Sequence, residues 1–228
     1  MSQGEASATQ TEPDGRTSAA VLDYGAGNLH SVARAFAKVG FAVTVTSDPA
    51  EARGARLMVL PGQGRFGQVM RAFKQSGLEP VVRDRISSGL PFIGICVGLQ
   101  LLLDGSEEDP GEAGLGIMRG TVRRFPAGAR VPQMGWNSLE GVGESPLLAG
   151  VPDGSHVYFA NSYYADFDEL DGNAPGATTT YGATTFRSAL SLGNLYATQF
   201  HPEKSQAVGL RMLANLRALC AAPDLAAA

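Results

Sequence analysis

Residues 90–103 read LPFIGICVGLQLLL, an apolar run that meets Cys96 with Gly94 and Gly98 two positions to either side. The run before the cysteine has the length and composition of a buried strand, and the run after it has helical spacing. A strand that turns at once into a helix is the repeating unit of an α/β fold. On its own Cys96 admits two readings. It is either a small apolar residue filling a core, or a nucleophile on an elbow with G-x-S-x-G spacing and sulfur in place of oxygen. In the second reading the glycines remove Cβ clashes at the bend. The start of the helix then favours the thiolate, and the N–H of Val97 is placed to stabilise an oxyanion.

Working outward, strand-like and helical segments alternate on the N-terminal side. AAVLDY (residues 19–24) runs into GAGN, and Val32, Phe36 and Val39 keep helical spacing up to Gly40. FAVTVTS and RLMVLPG (56–62) read as strands, and helices are predicted over 66–76 and 79–87. The segment after Cys96 is predicted as a helix through Leu103. From about Thr121 the segments TVRRF, HVYFANSYYADF, ATTTYGATTF and SALSLGNLYATQF are strand-like, with a hairpin turn at Gly193-Asn194. A last helix over 206–220 carries Val208, Leu210, Leu213, Leu216 and Leu219. The expected fold is α/β. It is a single open, mostly parallel sheet flanked by helices, flavodoxin-like, with a β-rich second half. Residues 1–18 are polar, without the apolar core of a signal peptide, and read as a disordered tail. Residues 19–222 form the one domain, and 223–228 a flexible end.

Bulk composition narrows the function classes. A 44% hydrophobic content supports a sizeable core. Eighteen basic against twenty-two acidic residues leave no electrostatic footprint for nucleic acid or a membrane surface. Two cysteines without metal-type spacing suit a reducing cytoplasm. GAGN begins like a dinucleotide fingerprint, but no third glycine follows, so no nucleotide cofactor is read from it.

Ligands of open parallel sheets bind beyond the carboxyl ends of the strands. Three unusual strand ends converge there: Pro61-Gly62-Gln63-Gly64, the Cys96 bend, and QFHPEKS after Thr198. Read as a strand end, His201 and Glu203 face the same way. A thiol needs a base that returns its proton to the leaving group, and a carboxylate orients that base. The backbone of Gly62, Gln63 and Gly64 can supply a second oxyanion donor. His30 and His156 read as ordinary surface or packing residues.

Taken together, GICVGLQLL and QFHPEKS resemble the class I (triad-type) glutamine amidotransferases. DYGAGNLHSV, LPGQGRFGQVM, VPQMGWN and HVYFANSYY are similar to one branch, the glutaminase subunits of imidazole glycerol phosphate synthases. The resemblance spans residues 21–219. It implies hydrolysis of glutamine through a γ-glutamyl thioester on Cys96, with His201 shuttling the proton and Glu203 orienting it. It further implies that Gln100 and Glu108 hold the substrate, with Ser162 and Tyr163 at its α-carboxylate and amino group. The oxyanion region would comprise Val97 and the 62–64 loop. No cofactor or metal is implied. The implied partner is a (β/α)8 cyclase subunit that receives ammonia in histidine biosynthesis, and Lys204 matches an interface lysine. VPQMGWN distinguishes this branch from the pyridoxal phosphate synthase glutaminases, and a non-catalytic scaffold has no need of Cys96, His201 and Glu203 together. The chain departs from the branch at Gln63 and Arg65, and at Gln133 and Asn161, where histidine is frequent.

Overall fold

The computed structural model describes residues 16–168 and 175–221. Its N-terminal half alternates β1 (Ser18–Leu22), α1 (Leu29–Lys38), β2 (Ala42–Thr46), α2 (Pro49–Gly54) and β3 (Leu57–Gly62). Then come α3 (Phe66–Gln75), α4 (Glu79–Ser87), β4 (Phe92–Cys96) and the short α5 (Val97–Gln100). The second half holds β5 (Gly105–Ser106), β6 (Gly120–Arg124), β7 (Gln133–Ser138), β8 (His156–Asn161) and β9 (Tyr163–Phe167). It closes with β10 (Gly176–Tyr181), β11 (Thr184–Leu192), β12 (Leu195–Thr198) and α6 (Gln206–Ala221).

Seven strands form one sheet in the order β10-β11-β12-β4-β3-β1-β2. The pairs from β12 to β2 are parallel, and β10 and β11 extend the sheet by antiparallel pairs. Every residue of β3 and β4 is buried, as expected of central strands covered on both faces. The edge strand β2 instead leaves Val45 exposed. Local chemistry sets the helix starts. Asn28 accepts from Ser31 N–H at the head of α1, and Asp48 accepts from Ala50 N–H ahead of Pro49 in α2. Two small sheets, β5-β6-β9 and β7-β8, lie outside the main one.

Several expectations change. Strand β1 begins at Ser18 and Thr17 is buried, so the folded unit starts inside the segment assigned to a tail; residues 1–15 and 222–228 lie outside the described residues. The helix after Cys96 stops at Gln100 instead of reaching Leu103. The carbonyls of Leu101, Leu102 and Leu103 accept N–H bonds from Leu115, Ile117, Met118 and Gly116 across the chain. Their side chains are all buried, so this segment is wrapped by its own sequence neighbours and has no solvent face to support a longer helix. HVYFANSYYADF splits at Ser162, because β8 pairs with β7 and β9 pairs with β6. Strand β7 starts at Gln133 inside the VPQMGWN segment and ends one residue beyond it, at Ser138. On α6 the fully buried stripe is Gly209, Met212, Leu213, Leu216 and Cys220, and Leu210 faces a surface groove.

Candidate active site

The three unusual strand ends meet at one edge of the sheet. Gly62 ends β3 directly opposite Cys96, and Thr198 ends β12 opposite Ile95. Cys96 is buried, with φ 56° and ψ −112°, a left-handed conformation that an L residue rarely adopts. Glycines make the bend possible by close backbone approach. A Cβ on Gly98 would overlap Leu60 O, and one on Gly62 would overlap Gly98 N. The G-x-C-x-G spacing and the Pro61-Gly62 pair are therefore one packing requirement, with β3 lying against the start of α5.

His201 and Glu203 do face together, though not as strand neighbours. His201 caps a 3-10 turn over Pro202–Lys204, and that turn brings Glu203 Oε1 to 2.8 Å from His201 Nδ1. Three contacts hold the turn. His201 N–H donates to Tyr158 O (2.9 Å), Ser205 Oγ donates to His201 O (2.7 Å), and α6 presses on Pro202 at Gly209. Nδ1 facing a carboxylate carries a proton, which leaves Nε2 as the ring nitrogen not taken up by Glu203. That Nε2 is buried without a hydrogen-bond partner. Burial, the largest single influence, pulls the His201 pKa down. The charge of Cys96, with the hydrogen bond and charge of Glu203, more than reverses it and holds the imidazolium up to about 10.

A pocket of about 160 Å³ opens beside the thiol. That is below the roughly 300–1,000 Å³ typical of drug-sized ligands. Cys96, Val97, Gln63, Gly64, Gln100, Glu108, Ser162 and Tyr163 all line it, so the structure brings together most of the site residues expected from the sequence. Gly62, His201 and Glu203 border a second, narrow crevice, and Gln63 lines both. Lys204 stands apart, in an outer groove with Arg34 and Lys38 and 5.7 Å above the Tyr158 ring. One Glu108 oxygen is engaged, accepting from Phe66 N–H at 2.7 Å at the head of α3.

The four positions at which the sequence is expected to depart from the branch all lie in or next to the pocket loop or on the β7-β8 pair. Arg65 pairs with Asp109 at 2.9 Å and donates to Glu108 O, which ties the exit of the 62–64 loop to the Glu108 wall. The hydrogen bond from Arg65, followed by that from Gly67 N–H, holds Asp109 below the usual carboxylate range. Gln133 and Asn161 are register partners on β7 and β8, and both are buried. The Gln133 amide and Asn161 Oδ1 lack partners, whereas Asn161 Nδ2 donates to Tyr163 O.

Two residues escape the sequence reading. Tyr24 OH donates to Pro61 O behind the loop, and burial, then the charge of Cys96, raises its pKa. Gln199 is wholly buried and donates towards Cys96 Sγ at 3.7 Å. The available signal was its place as the one amide, next to Thr198, in the largely apolar stretch Tyr196–Phe200. Among the described residues no group of three His, Cys, Asp or Glu side chains could hold a metal, and no helix is long and apolar enough to cross a membrane.

The cysteine elbow at the carboxyl edge of the parallel sheet lies within residues 20–217, the stretch that matches the class I glutamine amidotransferase family. The chain belongs to that family. An imidazole glycerol phosphate synthase subunit HisH from Deinococcus radiodurans is 54% identical over 86% of this chain and 91% of its own. One from Thermus thermophilus is 52% identical over 89% of this chain and 96% of its own. Among solved structures, a glutamine amidotransferase aligns with a TM-score of 0.66 at 21% identity, over 87% of this chain and 98% of that one. PurLQS from Thermotoga maritima aligns with a TM-score of 0.63 at 16% identity, over 88% and 95%. These two likenesses are of fold.

Proposed function

We propose that this chain is the glutaminase subunit of a cytoplasmic imidazole glycerol phosphate synthase, with the folded unit from Thr17 to Ala221 as its amidotransferase unit. It hydrolyses glutamine and delivers ammonia to a (β/α)8 cyclase subunit. The carrying observation is Cys96 on a strained elbow beside a glutamate-oriented histidine whose Nε2 is unpartnered. Cys96 Sγ attacks the side-chain amide carbon of glutamine, and the C–N bond breaks as the His201 imidazolium gives its proton to the leaving ammonia. The tetrahedral oxyanion is met by Val97 N–H, which has no partner within its own helix, and by the Gly62–Gly64 backbone. His201 then takes a proton from water, which attacks the thioester and frees glutamate and the thiolate. Gln100, Glu108, Ser162 and Tyr163 hold the substrate's amino-acid end.

A partner is supported by chemistry and by surface. Ammonia in neutral water is mostly ammonium and cannot act as a nucleophile, so it must pass directly to its acceptor. Met134 (67% exposed) and Trp136 (46%) lie on one face of β7, and Trp136 contacts Tyr158 at 6.0 Å. With Lys204 above Tyr158, they form an apolar face rimmed by a cation, the make-up of an interface. The test is glutamate release by the chain alone, with the cyclase, and with the cyclase plus its nucleotide ligand. Release should be negligible alone and strongly stimulated in the last case; substantial unstimulated turnover would remove the activation part of the reading. Cys96→Ala should abolish glutamine-dependent synthesis and spare ammonia-dependent synthesis by the partner. Survival of the former would remove Cys96 as nucleophile.

A further inference from the structure

Neither the sequence motifs nor the proposed mechanism gives Gln199 a task. It sits just beyond β12, wholly buried, with its backbone N–H on Ser188 O at 2.8 Å. Its side chain spans two parts of the site. Nε2 lies 3.7 Å from Cys96 Sγ, and Oε1 accepts from Gln100 Nε2 at 3.0 Å. Gln100 Nε2 also donates to Tyr163 O at 3.2 Å.

The hydrogen-bond partners alone fix the direction of this amide chain. Tyr163 O is a carbonyl and can only accept, so the Gln100 atom facing it is the NH2. The Gln199 atom facing that NH2 must then be its oxygen. The remaining Gln199 atom, turned to the sulfur, is therefore an NH2 donor. A wholly buried amide in an apolar run carries a desolvation cost that these contacts offset.

We propose that Gln199 is a positioning residue, which donates to the Cys96 sulfur and favours its thiolate while Gln100 fixes the direction of the donor. The inference rests on reading Cys96 as the nucleophile. Its chemical basis is that a donor to sulfur is worth more when the sulfur is charged. His201 and, behind it, Glu203 face Cys96 from the 3-10 turn, Tyr24 lies behind the loop, and Glu108 stands across the pocket. None of these changes when Gln199 alone is replaced, so the effect of Gln199 is an increment on theirs. The same amide chain joins the pocket to the nucleophile, because a ligand that pulls on Gln100 also turns the donor facing the sulfur.

The experiment is the pH dependence of iodoacetamide alkylation at Cys96, followed by mass spectrometry on the full chain. Cys220 is the internal control, since burial pushes its thiol up to about 12. Gln199→Met keeps the side-chain length and removes the donor. The alkylation midpoint should rise by about one pH unit, roughly tenfold less thiolate at any pH below it. A midpoint that stays put while thermal stability falls would mark Gln199 as packing only and overturn the proposal. Without any substitution, the side-chain NH2 resonance of Gln199 in ¹⁵N-labelled protein should move as Cys96 titrates, and a resonance indifferent to that titration would also overturn it. Failure of the unsubstituted chain, with its cyclase, to hydrolyse glutamine would sink the functional reading, while the alkylation midpoint would still decide the role of Gln199 independently.

Discussion

Cys96 holds a backbone conformation that costs an L residue on the order of 1–3 kcal/mol. Ala normally stabilises a chain relative to Gly. At this position the order should reverse, with Cys96→Gly more stable than Cys96→Ala by about 1 kcal/mol in urea unfolding. If the alanine variant were the more stable, the elbow would carry no strain. His201 gives a second prediction. Its folded pKa is raised to about 10, so its stabilising contribution is complete below about 6.5, the unfolded value. That contribution is lost as the pH rises through 10. The imidazole should titrate near 10 by NMR, and Glu203→Gln should lower the midpoint, because Glu203 favours the charged ring. The residue types at this site were legible because the chemistry demands a thiol, a base and a carboxylate. Gln199 and Tyr24 were not, since nothing in a one-dimensional string shows that one buried amide turns toward the sulfur and one buried hydroxyl toward Pro61 O.

The strand-to-helix unit stands or falls with its glycines. Gly98→Ala would drive a methyl into Leu60 O, and the backbone there cannot yield without moving β3 from α5. The expected loss is at least ~3 kcal/mol. Gly111→Ala has nothing within 4 Å and should stay within about 0.5 kcal/mol in the same thermal or urea measurement. Elements with a clean period were readable: α3 and α4 match their predicted spans, and the Gly193-Asn194 hairpin joins β11 to β12. Those that failed did so for tertiary reasons. The Leu101–Leu103 run looks helical, but its carbonyls are claimed by the 115–118 segment. HVYFANSYYADF has the composition of one strand, but Ser162 divides it between two sheets, and this division lines the pocket with Asn161, Ser162 and Tyr163. His201 and Glu203 were expected to align by strand alternation and instead align through a 3-10 turn.

At the scale of the whole molecule, the alternation of strands and helices implied the parallel sheet, and its carboxyl edge implied where the site would lie. The two small sheets were not legible, because they depend on pairings between segments far apart in the chain. Strand β8 connects the exposed face to the site. Tyr158 meets Trp136 with its ring, accepts from His201 N–H, and donates its own N–H to Ser205 Oγ. If the exposed face carries the proposed docking, Trp136→Ala should weaken association with the proposed cyclase partner at least tenfold by calorimetric titration. The melting temperature of the isolated chain should be nearly unchanged, since the ring is half exposed. Unaltered affinity would move the docking face elsewhere.

The backbone knot of Gly62, Gly94 and Gly98 also sets where this site can diversify. A library that randomises every position around the thiol would return almost no survivors at these three, because no larger residue fits. Variation that alters rate without loss of fold has to enter at Gln63, at Arg65 and along the amide chain through Gln100 and Gln199. Two of those four, Gln63 and Arg65, are among the positions at which the sequence is expected to depart from the branch it resembles.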